Sequence, residues 1–181
     1  MATSTPSPVG SPRASLQSTA PSRSTSTLLL RSLRPEQWIK NLIVFAAALF
    51  GGQLTNLQSL VEASATFVIF CALSGAVYLF NDVADRDADQ RHPLKRGRAI
   101  ATGALSPALA VTVGCVLGLS AVGAAGAVRP TLGLIAAGYF ALLLLYSFVL
   151  KHLVIIDALT IAGGFVLRAS AGAIAIAVPI E

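Results

Sequence analysis

The sequence predicts an all-α polytopic membrane protein, a helical bundle with about five transmembrane helices present. Three observations carry this reading. Hydrophobic residues make up 55% of the 181 and charged residues only 12%, against about 45–50% and 25% in average globular proteins. Charges are absent from the stretches 41–61, 63–81, 99–128 and 130–150, and Arg168 alone interrupts 158–180. Each stretch is near or above the roughly 18–20 apolar residues that cross a bilayer as a helix, and a soluble core of this size could not hide five of them. A cytosolic enzyme, a disulfide scaffold and a nucleic-acid binder are thereby disfavoured, although a net charge of +5 would otherwise invite the last. Cys71 and Cys115 lie inside apolar runs, where they act as small hydrophobes with no metal or disulfide spacing.

The elements follow in order. Residues 1–30 are rich in Ser, Thr, Pro and Ala and contain Arg13 and Arg23 but no acid. Such a segment buries too little apolar surface to offset chain entropy and is expected to be a disordered tail. Its composition also resembles an organellar transit peptide, without the amphipathic basic helix. Pro35 suits a first helical turn, and Trp38 with Lys40 suits a membrane interface. The expected spans are about 39–56, 61–80, 107–128, 131–150 and 154–178. Gly51-Gly52 breaks the first, Pro107 opens the third, Arg129-Pro130 turns into the fourth and Lys151-His152 precedes the fifth. Glycines such as the Gly114/Gly118 pair permit close helix approach; they read as bundle packing, with a homo-oligomer contact as the alternative.

The basic residues set an orientation. Arg13, Arg23, Arg31, Arg34 and Lys40 precede span one; Arg86, Arg91, Lys95, Arg96 and Arg98 lie between spans two and three; Lys151 lies between four and five. With five spans, all of these share one side, leaving Arg129 opposite and Arg168 within a span. The positive-inside rule then places the N-terminus and the loop 81–105 in the cytoplasm.

That loop, NDVADRDADQRHPLKRGRAIATG onward, holds nine charges. Asp82, Asp85 and Asp89 stand at offsets 0, 3 and 7, so at about 100° per residue one helix face carries all three, with Asn81 at its edge and Asp87 pointing away. Carboxylates stacked on adjacent turns repel unless a cation sits among them. Oxygen ligands with room for water suit Mg²⁺, which takes one or two carboxylates and completes its shell with water and phosphate. Lys95 and Arg98 are candidate phosphate clamps, with Arg91 secondary. A generic polar loop also carries mixed charge. Here the acidic face abuts a span end and bases follow within ten positions, which favours metal and diphosphate.

The motif Asn81, Asp82, Asp85, Asp89 after the second span resembles the first aspartate-rich motif of the UbiA-type intramembrane prenyltransferases. LRPEQWIKN at 33–41, RHPLKRGRAIATG at 91–103 and YSFVLKHLVIIDALTIAGGFVLRASAG at 146–172 are similar to its phosphoribosyltransferase branch, although Arg98-Ala99-Ile100 stands where Arg-Pro-Ile is expected. The resemblance implies an all-helical bundle of about nine spans and an Mg²⁺ cofactor on Asp82, Asp85 and Asp89, the catalytic trio, that binds the donor's diphosphate. It further implies transfer of 5-phosphoribose from phosphoribosyl diphosphate to a polyprenyl phosphate, as for cell-wall arabinan precursors, in a bacterial plasma membrane. Prenyl transfer to an aromatic or other acceptor is the alternative. The family's second aspartate-rich motif, expected after about the sixth span, is not found, so the chain reads as an N-terminal half, and an inactive fragment stays open.

Asn81 of the motif, together with Lys95, Arg98, Tyr146, Lys151 and Arg168, makes up the expected substrate-binding residues. A charge within a span is costly and faces the bundle interior or a wet cavity, so Arg168 is expected to meet a phosphate or an acid, with Asp157 as a partner only through other helices. Lys151 is equally explained as a positive-inside anchor. A transporter half would place its charges near the midplane; acids gathered at a span end favour an enzyme.

Overall fold

The computed structural model describes residues 24–149 and 154–177, without the side chains of Val154, Ile155 and Asp157. Lys151, His152 and residues 1–23 lie outside the described residues, as does any contact of the Asp157 side chain. The described chain is all-helical: α1 (Thr25–Ser32), a 3-10 helix (Pro35–Phe45), α2 (Ala46–Phe50), α3 (Leu57–Ala84), α4 (Arg86–Arg91), α5 (Pro107–Val128), α6 (Pro130–Phe148) and α7 (Val154–Ala175). Among the described residues, four helices, within α3, α5, α6 and α7, are long and apolar enough to cross a membrane.

Two expected boundaries change. The supposed tail is helical from Thr25, because Leu29 and Leu33 pack on a small core of Leu79, Ile100, Leu105 and Ala110. The stretch expected as span one is a 3-10 helix continued by a short α-helix rather than one α-helix. The 3-10 form rises about 2.0 Å per residue against 1.5 Å for α, so residues 35–50 still run to a contour of about 30 Å, one hydrocarbon thickness.

Local chemistry explains the helix ends. Asn56 caps α3 by accepting from Ser59 N at 3.2 Å, and Ser106 caps α5 by accepting from Leu109 N at 3.1 Å, with Pro107 next. Arg129 precedes Pro130, is driven to an extended conformation (φ −152°, ψ 135°) and so ends α5 and starts α6. At that end of the bundle it donates to Ala175 O at 3.0 Å and pairs with Glu62 at 3.6 Å. Glu62 and Asp82 lie twenty residues apart on α3, about 30 Å of helix, so the two charged ends of α3 are one hydrocarbon core apart.

The core centres on α3, where Phe70 and Leu73 meet Leu132, Ala136 and Tyr139 of α6 and Ala171 of α7. The Phe70 and Tyr139 rings lie 5.0 Å apart. A Cβ on Gly118 would strike the Phe140 ring and one on Gly114 would touch Phe80, so this glycine pair accommodates aromatic rings within the chain. Outward, Val116, Leu119, Leu134, Leu159 and Val166 are exposed. Helices apolar on every side suit a membrane.

Candidate active site

The end of α3 opposite Glu62 is where the loop 92–105, α6 and α7 come together around a cavity of about 430 Å³. Its wall carries five cationic side chains, Arg34, Lys40, Lys95, Arg98 and Arg168, and one carboxylate, Asp85, beside Asn81. Tyr146 and Ser147 add hydroxyls, while Val77, Leu143, Ile161 and Phe165 supply an apolar flank. From Asp85 to Ser74 the cavity follows α3 for about 16 Å.

The three aspartates do not share one cluster. The helix breaks at Asp85 (φ −91°, ψ 3°) before α4 begins, so the continuous helix face expected for Asp82, Asp85 and Asp89 is interrupted. Asp85 turns to the cavity, whereas Asp82 and Asp89, 4% and 2% exposed, converge on arginines. Arg34 donates to Asp82 Oδ1 at 2.5 Å; Arg98 donates to the same oxygen at 3.2 Å and to Asp89 Oδ2 at 2.7 Å. Two cations and two carboxylates thus form a neutral buried quartet. Their repulsion is relieved by arginine, and among the described residues no three acidic, His or Cys side chains stand together as a metal site.

Mg²⁺ asks for hard oxygen donors and takes only one or two carboxylates, leaving room for water and phosphate. Asp85 and the Asn81 amide oxygen, both on the cavity wall, fit that demand; Asp82 and Asp89 would join only after exchanging their arginines.

Deeper in, Arg168 donates to Tyr139 Oη at 2.6 Å and lies over the Tyr139 and Phe165 rings at 4.9 and 5.3 Å. Tyr139 is fully buried and shares a 3.2 Å hydrogen bond with Ser74 Oγ, which in turn donates to Phe70 O at 2.7 Å. Asn41 continues this polar chain, accepting from Ser74 at 3.4 Å and donating to Cys71 Sγ at 3.3 Å. The Nε of Arg168 is buried and has no hydrogen-bond partner among the described residues. An orphaned guanidinium donor beside a cavity is a place for an anion.

The structure therefore brings Asn81, Asp85, Lys95, Arg98, Tyr146 and Arg168 to one cavity and sets Asp82 and Asp89 behind it; Lys151 lies outside the described residues, and Arg91 is exposed and not on the wall. Arg34, Lys40, Ser74 and Tyr139 were missed as site residues. Arg34 and Lys40 were visible as bases in LRPEQWIKN, but nothing in that spacing tells an interface anchor from a cavity wall. Ser74 and Tyr139 lie in apolar runs and give no signal.

An apolar bundle with an asparagine and aspartates at the end of its second long helix, facing a cationic cavity, is the architecture of an intramembrane enzyme family. Residues 41–180 match the UbiA prenyltransferase family, and the chain belongs to it. It is 39% identical over 157 residues to a decaprenyl-phosphate phosphoribosyltransferase of Mycobacterium tuberculosis, covering 84% of this chain and 52% of the relative. It is 37% identical over 162 residues to the protein of that name from Corynebacterium glutamicum, covering 86% and 48%. A protoheme IX farnesyltransferase of Geobacter sulfurreducens is 34% identical over 92 residues, 46% of this chain and 34% of its own. The chain spans about half the length of the phosphoribosyltransferase relatives.

Proposed function

We propose that this chain belongs to a Mg²⁺-dependent membrane transferase that moves 5-phosphoribose from phosphoribosyl diphosphate onto a polyprenyl phosphate such as decaprenyl phosphate. In this reading it works in cell-wall arabinan precursor synthesis, in a bacterial plasma membrane with the N-terminus and the loop 81–105 cytoplasmic. The observation that carries the reading is the charge of the cavity: with Arg34 and Arg98 paired to Asp82 and Asp89, Lys40, Lys95 and Arg168 face the single wall carboxylate, Asp85. A cation excess lining a cleft raises the local concentration of anions. A diphosphate donor meeting a phosphorylated lipid brings two anionic substrates, whereas prenyl transfer to a neutral acceptor brings one.

The residues divide the work. Asn81 and Asp85 would hold Mg²⁺, which would supply positive charge to the departing diphosphate. Lys95 and Arg98 take phosphate oxygens at the cavity mouth. Arg168, steadied by Tyr139, holds the lipid phosphate, and Leu143, Ile161 and Phe165 shield the reacting atoms from water. An oxygen of the lipid phosphate attacks the anomeric carbon of ribose, the bond from that carbon to the diphosphate oxygen breaks, and diphosphate leaves. No protein nucleophile is required.

The similarity to a farnesyltransferase favours a second reading, prenyl transfer from a polyprenyl diphosphate to an aromatic or other acceptor. The test incubates membranes with labelled phosphoribosyl diphosphate, Mg²⁺ and polyprenyl phosphate, comparing wild type with Asp85→Ala. Label entering lipid only with Asp85 intact, reduced at least about a hundredfold in the variant, supports the first reading. Prenyl label entering an aromatic acceptor instead moves the assignment to the second, and transfer that survives Asp85→Ala contradicts the role given to that carboxylate.

A further inference from the structure

Arg34 occupies an unusual position. Its backbone is left-handed (φ 53°, ψ 64°) although it is not glycine and is followed by proline, a conformation disfavoured on both counts. Such strain persists only where surrounding contacts over-determine it. Those contacts are the 2.5 Å ion pair with Asp82 and a guanidinium stacked 4.6 Å over the Tyr78 ring. Arg34 and Arg98 also stand between two cavities: the cationic one above and a second, of about 380 Å³, between α1 and the loop 97–104, whose wall includes Asp82. Each arginine thus reaches the donor cavity while its charge is spent on a carboxylate behind it. Asp82 Oδ1 receives both guanidinium groups, although a carboxylate that is to serve a divalent cation must be released from one of them.

We propose that Arg34 and Arg98 are exchangeable counter-ions of the aspartate motif. Without donor they neutralise Asp82 and Asp89; with donor they turn to its phosphate oxygens, and the carboxylates become available to the metal. The quartet stays charge-balanced in both arrangements: two arginines on two carboxylates in one, arginines on phosphate and carboxylates on Mg²⁺ in the other. Arg34 is then a positioning residue that couples donor binding to metal binding, and it keeps metal alone from occupying the site. This rests on the diphosphate-donor reading above.

The test measures binding of Mn²⁺ alone, inorganic diphosphate alone and both together to the full chain in lipid nanodiscs, for wild type, Arg34→Gln and Asp82→Asn. Arg34→Gln removes the competing cation, so Mn²⁺ alone should bind at least about fivefold more tightly, the low end of ordinary coupling between sites. Asp82→Asn frees the guanidinium, so diphosphate alone should bind more tightly by a similar factor, and in both variants the mutual enhancement of Mn²⁺ and diphosphate should shrink. A residue that only held the fold together would weaken every binding event. Unchanged or weaker Mn²⁺ binding in folded Arg34→Gln overturns the proposal. Should that variant not fold, unchanged or weaker diphosphate binding by Asp82→Asn does so. Wild type that binds neither probe sinks the diphosphate-donor reading, and this inference with it.

Discussion

Tyr139 ties the deep end of the cavity to the core. Its ring packs on Phe70 while its hydroxyl takes a proton donor from Arg168 and meets Ser74. A hydrogen bond to a charged group contributes about 1.5–3 kcal/mol in water and less between membrane helices. Tyr139→Phe leaves Arg168 with a second donor lacking a partner among the described residues and removes the tether that aims it. The expected result is a thermal stability loss of about 1–2 kcal/mol in detergent, with KM for the lipid phosphate rising about three- to tenfold and kcat changing less. Equal loss of kcat with KM unchanged would place Arg168 in the chemical step instead. At this scale the sequence was only partly legible. Arg168 stood out because charges are rare within spans, and the Asn81 to Asp89 spacing stood out as a motif. The Arg34–Asp82 pair joins residues 48 apart, and such a contact is set by tertiary packing, not by any local pattern.

Among elements, α7 makes a close approach to the 3-10 helix. Gly172 lies against the backbone of Val44, and an added Cβ there would collide with the Val44 carbonyl. Backbone cannot step aside as a side chain can, so Gly172→Ala should cost about 3 kcal/mol or more. Gly163→Ala, whose new Cβ would meet only Leu142 Cδ2 at 3.6 Å, serves as the control and should be neutral or gain up to about 1 kcal/mol from helix propensity. Thermal unfolding followed by circular dichroism compares the two. Element boundaries were readable where chemistry punctuates them: α5 begins at Pro107, and Arg129-Pro130 divides it from α6. Two features carried no punctuation. The break at Asp85 contains neither Gly nor Pro and arises where the carboxylates separate, two toward arginines and one toward the cavity. The 3-10 helix has the same apolar run that an α-helix would have, and it docks on α3 and α7.

Across the whole molecule, charge is sorted to the two ends of an apolar bundle. Glu62 and Arg129 pair at one end, while the other gathers the buried arginine–aspartate quartet and the cationic cavity. This sorting was legible from the charge-free runs, and it gave the fold class. The division of labour within the acidic motif was not, because a helical projection treats Asp82, Asp85 and Asp89 alike. Packing makes them different: Asp85 faces the cavity, and the other two pair with arginines behind it. The central claim is that this cavity receives a metal-bound diphosphate through Asn81 and Asp85. Anomalous diffraction from crystals grown in lipid with Mn²⁺ and phosphoribosyl diphosphate tests it most directly. The account predicts a manganese peak in the cavity against Asp85, with the donor's phosphates toward Lys95 and Arg98. A donor bound at the Glu62–Arg129 end, or a manganese peak remote from Asp85, would contradict it.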